Sequence, residues 1–505
     1  MNGRFPAESW RGLSEPSLLL LARINNFLVS KNIKAYIVGG FIRDLWLGRE
    51  TADIDLALAG DSLETSAQLA SALGGKYVLL DRINGIARVI LAPEGPPLAG
   101  RSWELDLSPL KGSIEQDLAQ RDFTIDAMAV ELKELAEGCP SIPLIDPFGG
   151  LSDLCEGVIR VVSRQAFETD AARLLRGVRL AYELGFSIES KTEALIRRHS
   201  YLVASVAGER VRDELLRLLA IPGGERLLSH LDGLGLLTVI IPELALEKGV
   251  EQPREHAWDV FTHSLKTVVA ADFLFHRGDW EYATGDVLAA SPWSDSLNEH
   301  FNQPVSSGSS RRTLLKLAAL LHDIAKPQTK SVAANGRTRF LGHARQGADM
   351  AASILERLRF SGKEMKLVET MVEYHLRPTQ MSQEGPPSPR AIYRYFRDAG
   401  DAGVDILFLS LADHLATRGP NLRLESWREH TSLVDYVLSR RFEGEGVVRP
   451  PKLINGHDII DLFGLSPGPK VGELLELVRE AQAAGEIRSR EEALAFIKLR
   501  LRDSQ

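Results

Sequence analysis

Residues 36–56 restrict the fold of this chain more than any other stretch. An apolar strand runs into Gly39-Gly40, and the segment closes on the pattern Asp53-x-Asp55. Residues two apart on a strand point the same way, so Asp53 and Asp55 offer two carboxylates to one site, a pair that suits Mg²⁺. The glycines let backbone N–H groups approach a phosphate. This order predicts a nucleotidyl-transfer site rather than two unrelated surface turns.

Composition narrows the class of protein. The 505 residues are 44% apolar and 25% charged, which is typical of a globular chain with several domains. We expect no membrane span and no signal peptide, and therefore a cytoplasmic protein. Cys139 and Cys155 are too few for a disulfide framework or a four-cysteine zinc site. A net charge of −8 argues against nucleic-acid binding by the whole surface, although arginines cluster in residues 173–212.

Hydrophobic periodicity divides the chain into an α/β part and a long helical part. We predict helices at 17–30 and 62–73 and strands at 35–38, 77–80, 86–91 and 103–107. Helical spacing dominates afterwards, with a predicted loop insertion at 291–310 and a small helical tail from Pro450. The predicted domains are a head (1–155), a neck that binds the nucleotide base and RNA (156–245), a histidine-rich domain (246–440) and a tail (441–505).

Further motifs follow the first one in a fixed order. They are Glu104-Leu105-Asp106, Arg121-Asp122-Phe123-Thr124-Ile125-Asp126, Asp146-Pro147-Phe148-Gly149-Gly150, Asp170-Ala171-Ala172-Arg173-Leu174-Leu175-Arg176 and Gly208-Glu209-Arg210. Over about residues 20–220 the set resembles the bacterial-type (class II) tRNA nucleotidyltransferase and poly(A) polymerase family. The resemblance implies an α/β polymerase-beta-like nucleotidyltransferase head followed by all-α neck, HD and tail domains.

The resemblance also implies roles for the acidic residues of the head. Asp53 and Asp55 would be the catalytic ligands of Mg²⁺, which clamps the attacking and leaving oxygens of a phosphoryl transfer. Asp106 falls where relatives carry a third catalytic carboxylate, and Glu104 is its substitute candidate. A packing or salt-bridge role for Asp106 is the alternative.

Nucleotide binding is assigned by the same resemblance to glycines, arginines and two further aspartates. Gly39, Gly40 and Arg43 would hold the triphosphate, with Asp44 orienting Arg43. Arg121 and Asp122 would contact the ribose of the incoming nucleotide; the alternative is an ordinary ion pair.

Base selection would fall to Asp170 and Arg173, which we place on one helix face, with Arg176 one turn on. A carboxylate accepts from an exocyclic amine and a guanidinium donates to ring acceptors, which permits the choice of CTP and ATP. A surface salt bridge is the alternative. Gln120, Asp126 and Thr169 depart from the residues usual in relatives, so full CCA addition, A-only addition, C-only addition and poly(A) synthesis all remain open.

A second set of residues has the order of an HD-type metal site. His263, the pair His322-Asp323 and Asp413 resemble the ligands of HD-domain metal phosphohydrolases, over about residues 257–416. The divalent metal is not identified by this pattern. The alternative is a set of satisfied core histidines. Additional candidates for a second metal or a phosphate are His343, His375 and Lys326.

These observations predict a template-independent transferase that adds CMP, AMP or both to the 3′ end of tRNA or another RNA, using CTP and ATP. The rival hypotheses are a poly(A) polymerase and an HD-type phosphohydrolase acting on RNA ends with a degenerate transferase head.

Overall fold

A computed structural model describes residues 4–6, 13–49, 51–92, 102–137, 141–278, 280–381, 385–443 and 450–503. The chain divides into two compact units, Met1–Val206 and Ala207–Gln505. The predicted four-domain division stays a prediction. Cys139 lies outside the described residues, whereas Cys155 is a free, exposed thiol.

The first unit mixes strands with short helices. Its strands are β1 (Arg4–Pro6), β2 (Ala35–Val38), β3 (Asp53–Leu58), β4 (Lys76–Asp81), β5 (Ile86–Leu91), β6 (Trp103–Pro109), β7 (Ala129–Glu131), β8 (Ser141–Pro143), β9 (Val158–Ile159) and β10 (Ser187–Ile188). Its helices are α1 (Glu15–Ser30), α2 (Gly40–Trp46), α3 (Ser62–Leu73), α4 (Ile114–Leu118), α5 (Leu132–Ala136), α6 (Gly150–Glu156), α7 (Ala166–Thr169), α8 (Arg173–Leu184) and α9 (Ser190–His199).

One six-stranded sheet organises the first unit. Its strand order is β4-β5-β6-β3-β2-β7, and β3 and β6 run parallel whereas the other neighbours are antiparallel. Leu56 of β3 and Leu105 and Leu107 of β6 are fully buried. Because side chains alternate along a strand, these leucines leave the acidic residues between them on the opposite face. The sheet therefore separates an apolar layer from a polar one.

Local signals explain where the helix next to this sheet begins and ends. The Asp61 side chain accepts hydrogen bonds from the backbone N–H groups of Leu63 and Glu64, which caps α3. Gly74 follows α3 with a φ of 70°, a left-handed conformation that suits glycine. The predicted helix at 62–73 and strand at 86–91 are confirmed with the same bounds.

The second unit is predominantly helical. Its helices are α10 (Gly208–Ala220), α11 (Gly224–Gly233), α12 (Leu237–Ile240), α13 (Val260–His276), α14 (Gly285–Ala290), α15 (Asp295–Asn302), α16 (Arg311–Leu321), α17 (Lys326–Thr329), α18 (His343–Arg357), α19 (Gly362–Tyr374), α20 (Arg377–Gln380), α21 (Pro389–Ala399), α22 (Gly403–Arg418), α23 (Leu424–Glu443), α24 (Gly456–Phe463), α25 (Pro469–Ala483) and α26 (Arg490–Asp503). Two small hairpins are β11 (Pro304–Ser306) with β12 (Ser309–Ser310), and β13 (Lys330–Val332) with β14 (Thr338–Phe340).

Helix α13 lies at the centre of the second unit, where it packs against α16 and α22. Nearly all of its residues are buried, including the polar His263, so the helix is enclosed by its neighbours on every side. The tail helices α24 to α26 form a separate small core around Ile459, Leu474 and Ile497.

The predicted fold class is confirmed, but the prediction of a loop insertion at 291–310 is wrong. Residues 291–310 do not form only a loop, because they contain α15 and the β11–β12 hairpin. Phe301 on α15 is fully buried and its ring lies 4.7 Å from those of Phe275 and Phe408. This tertiary burial stabilises a helix that the polar composition obscured. Among the described residues, no helix is long and apolar enough to cross a membrane.

Candidate active site and metal cluster

Strands β3 and β6 bring four carboxylates to one face of the sheet. Asp53 pairs in register with Glu104, and Asp55 pairs with Asp106. Equivalent positions on neighbouring strands point to the same side, so the carboxylates form two adjacent pairs. The sequence prediction placed Asp53 and Asp55 together by alternation along one strand. The register of the sheet adds Glu104 and Asp106 from the neighbouring strand to the same group.

An arginine that the sequence analysis missed lies among these carboxylates. Arg88 on β5 is opposite Asp106, and its Nε and Nη2 donate to the two Asp106 oxygens at 2.7 and 2.8 Å. Arg88 also bonds to Glu104. Such a bidentate pair is strong and directional, so Asp106 has the salt-bridge environment that we gave as its alternative role. Arg88 occupies the middle of an alternating strand, and only the register shows what it faces.

The Gly39-Gly40 turn leaves space beside the carboxylates that a larger residue would fill. Gly39 has a φ of 76°, and a Cβ built there would lie 2.6 Å from Oδ2 of Asp55 and 2.8 Å from Nη1 of Arg121. A side chain at position 39 would therefore collide with both groups. The close approach of backbone, carboxylate and guanidinium fits a site for a metal-bound phosphate.

The ionisation of Asp55 depends on its charged neighbours. Burial raises the pKa of Asp55 to about 6, with Asp106 adding to the rise and Arg121 opposing it. A carboxylate that is costly to ionise without a cation favours a bound divalent metal, which would keep it deprotonated. The donor set of the head thus fits a hard cation with oxygen ligands.

Asp126 connects two of the predicted nucleotide-binding arginines. Nη1 of Arg43 donates to Asp126 at 2.6 Å, and Nη2 of Arg176 lies 3.3 Å from its other oxygen. Arg176 also pairs with Asp122 at 2.9 Å. Burial alone would raise the pKa of Asp126, but Arg43 and Arg176 more than offset this and hold the pKa below its usual value. Asp126 is therefore an ionised link between helix α2 and helix α8.

Arg43 and Arg121 each have a further carboxylate neighbour. Nε and Nη2 of Arg43 donate to Asp44 at 2.9 and 3.1 Å, as predicted for an orienting carboxylate. Arg121 lies 3.8 Å from Asp117. Arg179, which is not among the predicted site residues, pairs with Glu183 at 2.6 Å. This is an ordinary ion pair between residues four apart on a helix.

Asp170 and Arg173 are close together, but the prediction that one helix carries both is wrong. Asp170 ends α7 in an extended conformation, and α8 begins at Arg173. Their side chains lie 4.0 Å apart, and Nη2 of Arg173 donates to the carbonyl oxygen of Gln120 at 2.8 Å. In the turn between the two helices, the Asp170 side chain accepts a hydrogen bond from the backbone N–H group of Ala172. The two side chains still share one location.

The second unit brings all the predicted histidine and aspartate ligands into one buried cluster. Nε2 of His263 lies 3.1 Å from Asp413 and 3.5 Å from Asp323, and Nε2 of His322 lies 3.1 Å from Asp323. Among the described residues, two groups have ligand atoms within 4.8 Å of one another: His263, His322 and Asp323, and Asp323, His343 and His375. Helices α13, α18 and α22 carry His263, His343 and Asp413, and the residues that directly follow α16 and α19 supply the others.

The protonation of the cluster suits metal binding. Burial lowers the pKa of His375 to about 3, so this ring is a neutral imidazole, the form that binds metals. Burial disfavours the charged form of Asp323, but His322 and Lys326 outweigh it and hold the pKa well below its usual value. Nε2 of His343 and Oδ1 of Asp323 are 3.4 Å apart, buried and without a well-directed hydrogen bond. Buried ligand atoms without a hydrogen-bond partner fit a divalent metal.

Three residues near this cluster were not identified from the sequence. They are His256, Gln252 and Glu247. The ring of His256 lies 5.5 Å from that of His263. Gln252 accepts a hydrogen bond at 2.6 Å from Nζ of Lys326, which also contacts Asp323 at 2.6 Å. Glu247 is fully buried, and burial raises its pKa well above the usual value. The seven-residue spacing of His256 and His263 is the one signal in the sequence for the first of them.

Comparisons with known proteins agree with this geometry. The profile of the poly A polymerase head domain matches residues 35–160, that of the probable RNA and SrmB-binding site of polymerase A matches 185–247, and that of the HD domain matches 287–417. The HD match begins after His263, which the structure nevertheless places in the cluster.

Solved structures show the same fold. The Thermotoga maritima CCA-adding enzyme complexed with tRNA has a TM-score of 0.61 at 22% identity and covers 99% of this chain and 100% of its own. A CCA-adding enzyme with CTP has a TM-score of 0.64, also at 22% identity, with the same two coverages.

Curated relatives align over nearly the whole length. An A-adding tRNA nucleotidyltransferase of Deinococcus radiodurans is 33% identical over 470 residues, which are 92% of this chain and 95% of that protein. A CC-adding tRNA nucleotidyltransferase of Thermus thermophilus is 33% identical over 473 residues, 92% of this chain and 93% of that protein. With the head carboxylates, the arginine network and the His/Asp cluster in place, this chain belongs to the tRNA nucleotidyltransferase family.

Proposed function

We propose that this protein adds CMP, AMP or both to the CCA end of tRNA from CTP and ATP, with Mg²⁺ held by Asp53 and Asp55. The observation that carries the proposal is the register of β3 and β6, which groups these carboxylates beside the Gly39 turn. Mg²⁺ would supply charge stabilisation at the reacting phosphate. Gly39 and Gly40 would let the backbone approach the triphosphate closely, and Arg43 would supply positive charge to it.

Base selection is proposed for the group around Asp170 and Arg173. Their donors and acceptors are complementary to the amine edges of cytosine and adenine, and Arg121, Asp122 and Arg176 would orient the nucleotide beside them. Relatives named as A-adding and CC-adding are each 33% identical to this chain, so overall similarity does not rank the two activities.

The test supplies tRNA transcripts that end before CCA, after C and after CC, each with CTP, ATP or both. Asp53→Ala and Asp55→Ala should each lower incorporation about 10³-fold or more, because several kcal/mol of transition-state stabilisation depend on the metal. Glu64→Ala, an exposed acid of the same unit, should have no effect. Full incorporation by both aspartate variants would refute the assignment. The nucleotides added to each transcript identify CCA, CC or A addition, and a long A tail would identify a poly(A) polymerase.

A second activity is proposed for the His/Asp cluster, which would hold a divalent metal and hydrolyse phosphate esters at RNA ends. The buried Nε2 of His343 and Oδ1 of Asp323, which have no hydrogen-bond partner, and the neutral His375 support it. His322→Ala should abolish metal-dependent phosphate release from a 3′-phosphorylated RNA and leave nucleotide incorporation unchanged. If phosphate release persisted in His322→Ala, another site would be responsible.

A further inference from the structure

Beside the His/Asp cluster lies a hairpin of unusual charge, residues 330–340, which we call the basic hairpin. The segment from Lys326 to Ala348 has five Lys and Arg residues and no Asp or Glu, although the net charge of the whole chain is −8. The cations beyond Lys326 are Lys330, Arg337, Arg339 and Arg345, and all four are exposed. Such a local excess is the electrostatic footprint of a polyanion site.

The base of the basic hairpin adjoins the metal-binding candidates. Phe340, its last residue, lies under Nζ of Lys326, which is 5.4 Å from the ring centroid, and its carbonyl oxygen is 2.7 Å from Nδ1 of His343. Lys326 and His343 both contact Asp323, at 2.6 and 3.4 Å. The position of the hairpin is therefore fixed at the rim of the cluster.

The exposed cations are only weakly neutralised by the protein. Arg337 lies 4.0 Å from Glu255, and both side chains are more than half exposed, at 65% and 51%. Glu255 precedes His256, whose ring faces His263, so this contact also lies near the cluster. Exposed pairs of this kind contribute little, and a phosphate displaces them readily. Arg339 lies on β14 and Arg337 directly precedes that strand, so the two cations are near neighbours in the hairpin.

We propose that the basic hairpin binds the phosphodiester backbone of single-stranded RNA and guides its 3′ end to the His/Asp cluster. This inference rests on the proposed phosphohydrolase function and adds the surface that would bind the RNA chain and favour it over a free nucleotide or small ester. A small ester has too few phosphates to reach both the cluster and the hairpin, whereas an oligonucleotide spans them. Backbone contacts of this type carry no sequence preference.

The test compares Lys330→Ala/Arg337→Ala/Arg339→Ala with a matched triple variant, Lys363→Ala/Arg423→Ala/Arg428→Ala, whose cations are exposed elsewhere in the same unit. The substrates are a short oligoribonucleotide with a 3′-phosphate and 4-nitrophenyl phosphate, with a series of Mg²⁺, Mn²⁺ and Ni²⁺. The hairpin variant should lose about tenfold in kcat/KM on RNA at low salt and keep its rate on the small ester. Equal losses on both substrates, or no loss on RNA, would overturn the inference.

Binding measurements separate this inference from the proposed hydrolysis. The slope of log K against log salt for the oligoribonucleotide should fall by about 2 in the hairpin variant, at roughly 0.7 per lost contact, and remain unchanged in the matched variant. If neither protein releases phosphate, the phosphohydrolase proposal fails while the salt slope still decides whether the hairpin binds RNA. An unchanged slope, combined with lost binding to phosphatidylserine vesicles, would assign the hairpin to a membrane surface and overturn the RNA proposal.

Discussion

At the scale of the residue, Asp126 is the most informative departure from the usual family pattern. Relatives usually carry an asparagine in this position, which has one acceptor oxygen and two N–H donors. The aspartate of this chain accepts from Arg43 and Arg176 through different oxygens. Its pKa is depressed, so the ion-pair contribution to stability is complete above the unfolded value of about 3.9. That contribution is lost as the pH falls through the folded pKa.

We expect Asp126→Asn to release one of the two arginines and to raise KM for CTP and ATP about tenfold with a smaller effect on kcat. The loss of one buried charge-assisted bond, about 1–3 kcal/mol, accounts for that size. Steady-state kinetics on tRNA ending in CC or lacking CCA measures it. Glu183→Gln, which weakens the Arg179 ion pair in the same unit, is the control and should leave KM unchanged. A drop in thermal stability without any change in KM would mean that Asp126 is only structural.

At the scale of the element, the tail is attached by ions rather than by its core. The apolar residues of α24 to α26 pack mainly on one another. Between α21 and α25, Arg394 and Arg397 donate to Glu480 at 2.5 and 2.9 Å, and Arg397 also reaches Glu476 at 3.1 Å. The side chain of Glu480 is 8% exposed, so it is the least solvated member of this network. Polar attachment of this kind weakens as salt rises.

Glu480→Gln should therefore loosen the tail without unfolding it. Because both arginines are partly exposed, at 50% and 36%, we expect a loss of about 1 kcal/mol. Hydrogen exchange of α24 to α26 should accelerate in the variant at low salt, and high salt should bring the wild type toward the same rate. Glu473→Gln, an exposed acid of α25 that pairs with Lys470, provides the comparison. Identical exchange in all three proteins would show that apolar contacts hold the tail.

At the scale of the whole molecule, each compact unit contains a complete candidate metal site of its own. The carboxylates of the first unit suit a hard cation, whereas the imidazole-rich cluster of the second suits a transition metal. This difference in ligand chemistry is the reason to expect that His322→Ala affects phosphate release alone. It also predicts different responses of the two activities to the metals in the test series.

The sequence by itself determined the fold class and the family and supplied the candidate ligands, because strand alternation, ordered motifs and helical periodicity are local properties. Helix α3 and strand β5 were predicted with the correct bounds for that reason. Only the tertiary structure decided which distant charges meet. The register of β5 on β6 places Arg88 opposite Asp106, chain folding brings Asp126 between Arg43 and Arg176, and burial of Phe301 stabilises α15 in a segment that composition assigned to a loop. Contacts between residues far apart in the chain depend on packing, and no local pattern encodes them.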